Sequence, residues 1–160
     1  MEELKIYERQ LPHWRLSVAT YFVTWRLSRN QTVLEPLEKS LIVEILRYFD
    51  NERYNLHAYV VMNDHCHTLV QTKGAYPLEK TVHSWKSYSA KRLQSDFGRF
   101  GQIWQYEYYD RIVRDDSEFL EKASYIVTNP MRKWPEIQEY EWVGHYPQVV
   151  GLRARKRILI

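Results

Sequence analysis

Apolar and polar positions change period several times along the chain, and the changes predict the order β-α-β-β-α-β-α. Residues 16–28 (LSVATYFVTWRLS) are β-branched and aromatic with alternation, which predicts a first strand. From Pro36, a residue suited to a helix start, Leu37, Leu41, Ile45 and Tyr48 recur at helical spacing to about Phe49. Residues 55–62 (NLHAYVVM) predict a second strand and 65–71 a third, paired through the turn dipeptide Asn63-Asp64. A long helix then runs to about Phe97, with Leu78, Val82, Trp85 and Leu93 along one stripe. Its opposite face holds Lys80, Ser84, Ser87 and Lys91, and Gly98 and Gly101 break the chain after it. Residues 104–114 (WQYEYYDRIVR) predict a fourth strand. Asp115 with Glu118 makes a capping-box-like start for a last helix over 116–129, which Pro130 stops. Two β-α-β halves with a central hairpin describe an α+β fold, the ferredoxin-like split β-α-β sandwich: an antiparallel sheet with helices on one face. The final helix is an addition to that plan.

Length and composition narrow this to one domain. A chain of 160 residues that is 44% hydrophobic and 15% aromatic can bury one sizeable core, and it has no internal repeat, low-complexity tract or Gly/Ser linker. Its single cysteine, Cys66, excludes a disulfide framework within the chain and fits a reducing cytoplasm. The first residues have no apolar stretch of signal-peptide length, and no run approaches the ~18 apolar residues of a membrane span. A cytoplasmic protein without a membrane partner is expected. Six Trp and thirteen Tyr suit either a small aromatic core or a surface that stacks on bases.

The formal charge of +3 is too small to suggest a nucleic-acid partner if spread evenly, but it is segregated. Residues 73–99 carry Lys73, Lys80, Lys86, Lys91, Arg92 and Arg99 against only Glu79 and Asp96. The last ten residues hold Arg153, Arg155, Lys156 and Arg157 and no acid, whereas 107–141 holds five basic residues against nine acidic ones. A basic helix ridge and a basic tail are thus set off from an acidic stretch.

His65 and His67 stand two apart on a strand, so their side chains share one face roughly 6.5–7 Å apart at Cα. Such a pair is either surface polarity or two ligands for one divalent metal. Cys66 points to the other face, under the helices, as a small hydrophobe, so a four-ligand structural zinc site is poorly served. On the last helix Phe119, Leu120, Ala123, Ile126 and Val127 form the core arc, and Tyr125 falls outside it. Lys122, Tyr125 and Asn129 share one helix surface. That surface offers a phenol that could attack phosphorus, an amide oxygen that could complete a metal's coordination, and an ammonium to steady phosphate charge. The plainer reading is a half-exposed tyrosine whose ring lies against the sheet. Tyr88, Tyr108 and Tyr109 are rival nucleophiles, the last two on a strand where rings usually pack.

With HCH at 65–67 and Tyr125-Ile-Val-Thr-Asn129-Pro130 in view, the chain resembles the single-tyrosine HUH transposases, most of all the REP-associated tyrosine transposases. The likeness covers about residues 14–134: a first strand, MNDHCHTLV at 62–70, a helix with Lys86-Ser87-Tyr88 and Lys91-Arg92, IWQYEYYDRIVRD at 103–115, and SYIVTNPMRKW at 124–134. Residues 135–160 form a C-terminal extension that matches only loosely. The resemblance implies that His65 and His67 bind Mg²⁺ or Mn²⁺ with Asn129 as third ligand, and that Tyr125 is the nucleophile. It also implies cleavage and rejoining of single-stranded DNA at or beside a hairpin of REP-like palindrome, through a 5′-phosphotyrosine link and a free 3′-OH. Two departures stand out: Cys66 replaces the usual bulkier aliphatic, and Asn129 stands where insertion-sequence relatives have Gln.

The expected DNA-binding residues are Lys80, Lys86, Lys91, Arg92, Arg111, Arg114 and the tail Arg153, Arg155, Lys156 and Arg157, with affinity that falls steeply with salt. Arg111 and Arg114 could instead close ion pairs with Asp110 or Asp115, and Trp104 or Trp134 could stack on unpaired bases. Catalysis is assigned to Tyr125 assisted by Lys122, in a monomer or a homodimer. Two rival classes are a domesticated, non-catalytic binder of nucleic-acid hairpins and a metal hydrolase of small substrates. The intact His65, His67, Tyr125 and Asn129 set argues against the first, and the basic ridge against the second.

Overall fold

The computed structural model describes residues 18–145 and the backbone of two short strands before them, β1 (Leu4–Tyr7) and β2 (His13–Leu16), which pair antiparallel. The tail arginines and lysine at 153–157 lie outside the described residues. The first predicted strand is divided: Leu16 belongs to β2, and β3 spans Thr20–Arg26. Then follow α1 (Pro36–Tyr48), β4 (Tyr54–Val61), β5 (His65–Thr72), α2 (Leu78–Phe97), β6 (Tyr109–Ile112), α3 (Asp116–Lys133) and β7 (Val143–His145). The main sheet is antiparallel, in the order β6-β3-β5-β4-β7. Its first four strands are the ferredoxin-like arrangement, in which β5 lies between the two strands that α1 connects.

Both faces of the central strands are covered, and period-two alternation divides β3 between them. Tyr21, Val23 and Trp25 enter a core with α1 and α2, where Trp25 stacks on Trp85 at 5.5 Å. Phe22 enters a second, smaller cluster with Leu69 of β5 and Ala123 and Ile126 of α3. The two helices of the β-α-β halves therefore share one face, and the additional helix covers the other. Tyr54 ties the larger core together: its hydroxyl donates to the Leu46 carbonyl at 2.6 Å and accepts from the Trp85 indole at 3.0 Å.

Helix ends and faces differ in places from the periodicity. In α1 the buried face is Leu41, Ile42, Ile45 and Leu46, while Leu37 and Tyr48 are each 73% exposed. A capping box between Glu35 and Glu38 starts this helix, and Glu38 is also ion-paired with Arg99. Gly98, at φ 70°, ends α2 in the left-handed conformation that glycine favours. The fourth strand is shorter than expected, since Trp104 only bridges to Leu27 and regular pairing begins at Tyr109. Pro130 does not stop α3, which continues to Lys133. A proline removes one N–H from the helix ladder, but here its ring is buried and its carbonyl still accepts from Trp134 N at 2.8 Å. Leu120, expected in the core arc, is exposed.

The extension beyond α3 contributes the unanticipated edge strand β7. The Tyr140 hydroxyl donates to the Val61 carbonyl at 2.6 Å, and the Trp142 indole donates to Ser40 Oγ at 2.9 Å. Lys39 is buried beside them, with its ammonium 4.8 Å from the Trp142 ring centre and donating to Asn63 Oδ1 at 2.6 Å. That bond fixes the Asn63-Asp64 turn, which delivers the chain to His65. Among the described residues no helix is long and apolar enough to cross a membrane.

Candidate active site

Because β5 alternates, Cys66 is fully buried under α1 and α2, and His65 and His67 stand on the face that α3 covers. Their rings lie 4.8 Å apart between centres. Each ring is held through Nδ1: His65 against Asp64 Oδ1 at 2.7 Å, and His67 against Thr24 Oγ1 at 2.7 Å. A carboxylate can only accept, so His65 Nδ1 carries the proton there and Nε2 keeps its lone pair. The Nε2 of His67 is buried without a hydrogen-bond partner. An orphaned, oriented imidazole nitrogen beside a second anchored imidazole fits a divalent cation, because outer hydrogen bonds of this kind fix the tautomer of metal-bound histidines.

The electrostatics keep both rings neutral. Burial drives the His67 pKa down to about 3, helped by the repulsion that a protonated His65 would add and by the charges of Arg26 and Arg132. Burial also lowers that of His65, with Asp64 opposing and Arg26 and Lys133 assisting. Burial raises Asp64, but the His65 bond and the charges of His65 and Arg26 outweigh it, so Asp64 stays ionised. Among the described residues no group of three or more His, Cys, Asp or Glu could hold a metal.

Tyr125 comes from α3 to the same place. Its ring packs edge-on to His67 at 5.3 Å and to Phe22 at 5.9 Å between centres, yet the residue remains 41% exposed. The Arg132 guanidinium lies 4.1 Å from its ring centre and donates to its carbonyl. The ring against the sheet and the reactive position are therefore compatible. A cavity of about 330 Å³ opens here, lined by Phe22, Thr24 and Arg26 of β3, His67 of β5, Tyr109 of β6, and Lys122 and Tyr125 of α3. The Lys122 ammonium is 5.2 Å from the Phe22 ring centre and 3.8 Å from Glu121 Oε1. Asn129 is half-buried one turn further along α3, outside the cavity lining.

The other expected contacts are dispersed. Lys80 and Lys91 are exposed on α2, across the sheet from the histidines. Lys86 donates to the carbonyls of Gln105 and Tyr106 at 2.7 and 3.0 Å, and Arg92 pairs with Asp96 at 2.6 Å. Arg111 pairs with Glu118, not with Asp110 or Asp115, and Arg114 is exposed. Glu118 is thereby drawn from the capping box, although Asp115 still caps its amide at 2.8 Å. Trp104 is a core residue whose indole donates to Ser89 Oγ at 2.9 Å, so it cannot stack on a base. Trp134 is half-buried and stacked on Tyr140. Of the rival tyrosines, Tyr88 lies on α2 and Tyr108 packs against the larger core, but Tyr109 is 54% exposed and shares the Tyr125 cavity. Thr24, Arg26, Asp64 and Arg132 are residues of this neighbourhood that the sequence does not single out as such. The signal for the β3 pair is a threonine and an arginine on alternate positions of a strand that is otherwise apolar from Tyr21 onward.

Residues 16–129 match the family of IS200-like transposases. The chain belongs to that family. The IS200-like assignment spans every element from β3 to most of α3, including both histidines and Tyr125. A search of curated proteins finds no match. Among solved structures, the REP-associated tyrosine transposase bound to a REP hairpin is similar with a TM-score of 0.60 at 19% identity, over 72% of this chain and 68% of that one. A protein of Deinococcus radiodurans R1 described as a transposase is similar with a TM-score of 0.52 at 19% identity, over 79% of this chain and 95% of that one. At these identities the two likenesses show the fold.

Proposed function

We propose that this IS200-like chain is a metal-dependent single-stranded DNA endonuclease and strand transferase that works through Tyr125. The observation that carries the proposal is the meeting of Tyr125 with His67 at one cavity, brought there from a helix and a strand far apart in sequence. The hairpin bound to the similar REP-associated transposase supports hairpin DNA as the substrate. His65 and His67 would hold Mg²⁺ or Mn²⁺, with Asn129 as a third ligand. Such an ion, when bound, polarises the phosphate and neutralises charge in the transition state.

The residues of the chain supply the rest. The phenolic oxygen of Tyr125 forms a bond to phosphorus as the bond to the 3′ oxygen breaks. The phenol loses its proton and the departing oxygen gains one, giving a 5′-phosphotyrosine and a free 3′-OH. A phosphodiester is exchanged for another, so rejoining a strand needs no nucleotide cofactor. Phe22 and His67 set the angle of the ring, and Lys122 stands on the same helix surface to steady phosphate charge. The protein would act in the cytoplasm as a monomer or a homodimer.

Labelled single-stranded hairpin DNA, incubated with the protein and Mg²⁺ or Mn²⁺, tests the reading through a denaturation-resistant adduct. Wild type and Tyr109→Phe should form it, and Tyr125→Phe should not. An undiminished adduct from Tyr125→Phe removes Tyr125 as nucleophile. Hairpin binding without any adduct would favour the non-catalytic hairpin binder instead.

A further inference from the structure

Arg26 ends β3 opposite His65 in the β3–β5 register, on the face that α3 covers. Its side chain is exposed and lines the Tyr125 cavity, where no lining residue is acidic. Three other cations of this region are engaged: Arg132 with the Tyr125 ring and carbonyl, Arg111 with Glu118, and Lys122 near Glu121. Among the described residues the Arg26 side chain makes no such ion pair or hydrogen bond, although its charge acts at longer range on Asp64. A fixed cation next to two imidazoles that would receive a divalent cation is repulsive, and an anion bound between them would reverse the sign.

We propose that Arg26 is a catalytic residue that grips a non-bridging oxygen of the phosphate attacked by Tyr125. This rests on the reading of Tyr125 as nucleophile. A guanidinium presents a planar fork of donors that suits phosphate oxygens. As the phenolic oxygen approaches phosphorus, charge accumulates on the non-bridging oxygens, and a donor already in place costs no reorganisation at that moment. Lys122 approaches from α3 and Arg26 from the sheet, so the phosphate would be held from both layers.

Two measurements test this, and they separate its failure from that of Tyr125. In the first, inorganic phosphate is titrated into the metal-free protein while the ring resonances of His65 and His67 are followed. Wild type should shift with phosphate, Arg26→Lys less, and Arg26→Gln not at all. An equal response of wild type and Arg26→Gln overturns the inference, whatever the nucleophile.

In the second, hairpin DNA with an ordinary scissile phosphodiester is compared with the same DNA carrying one uncharged methylphosphonate there. On the phosphodiester, Arg26→Gln should form adduct about 10²–10³-fold more slowly than wild type, the usual cost of removing one such donor. On the methylphosphonate the two proteins should converge, because the charge that Arg26 meets is gone. A merely structural Arg26 would slow both substrates alike, and that result would also overturn the inference. If Arg26→Gln matches wild type on the phosphodiester while Tyr125→Phe is inert, Arg26 falls and Tyr125 stands. If Tyr125→Phe still forms adduct, the nucleophile falls and the phosphate titration still decides Arg26.

Discussion

An imidazole serves a metal only if one ring nitrogen is free and the ring cannot turn. Thr24 and Asp64 meet both conditions here, each fixing an Nδ1 and so aiming an Nε2. Thr24→Val keeps the shape but leaves the buried Nδ1 of His67 unpaired. It should destabilise the protein by about 1–3 kcal/mol, read as a lowered melting temperature. It should also weaken Mn²⁺ binding about 10–100-fold by calorimetric titration. An unchanged affinity would show that the hydroxyl does not orient the ring. His65 and His67 were legible in the sequence because strand alternation is a local rule. Thr24 and Arg26 were not, because only the β3–β5 register sets them beside the histidines.

Elements follow the same division between local and distant causes. The stripe Leu78, Val82, Trp85 and Leu93 is buried as the period of α2 predicts. In α1 the buried stripe is shifted, since Leu37 and Tyr48 fit the period equally well but lie outside the buried face of Leu41, Ile42, Ile45 and Leu46. Pro130 misled for a similar reason, because a signal that ends an isolated helix is overridden where the ring is buried. The strand β7 had no signal of its own, being three residues long and dependent on its neighbour. Its Gly144 lies against the Tyr59 ring, where an added Cβ would stand 2.7 Å from Cζ. Gly144→Ala should therefore loosen β7 and cost about 1–3 kcal/mol by overpacking. Faster amide hydrogen exchange at residue 144 and at Tyr59, which face each other as a hydrogen-bonded pair of the ladder, would report it, and in a Tyr59→Leu background the added methyl should cost less than it does in wild type, as a double-mutant cycle would show.

On the scale of the whole molecule, the described aromatic residues divide between core and surface: Trp25, Trp85 and Trp104 are buried in the core that α1 and α2 share, whereas Tyr48, Tyr88, Phe100 and Tyr106 are exposed. One ion pair also belongs to that side: Arg99, just past α2, donates to Glu38 of α1 and to the carbonyls of Thr32 and Val33. Burial raises the Glu38 pKa, but the Arg99 bond, the Glu35 backbone bond and the Arg99 charge bring it below 4.5. Its stabilisation is thus full above pH 4.5 and is lost as pH falls through the depressed value. Glu38→Gln should cost about 3 kcal/mol at pH 7, where it leaves a buried guanidinium without its anion. The difference from wild type should narrow in acid, as urea melts across that range would show. Charge segregation was legible as a list of residues, whereas their distribution over two sides of a sheet was not. The alternation of β5 has a last implication for how such a site can be inherited. Sliding that strand by one residue would bring the thiol of Cys66 to the face that α3 covers and drive both imidazoles into the hydrocarbon interior. A one-residue insertion ahead of the histidines would therefore have to be absorbed as a bulge, as the β4–β5 pairing absorbs one between Leu56 and Ala58, or it would turn both imidazoles away from Tyr125.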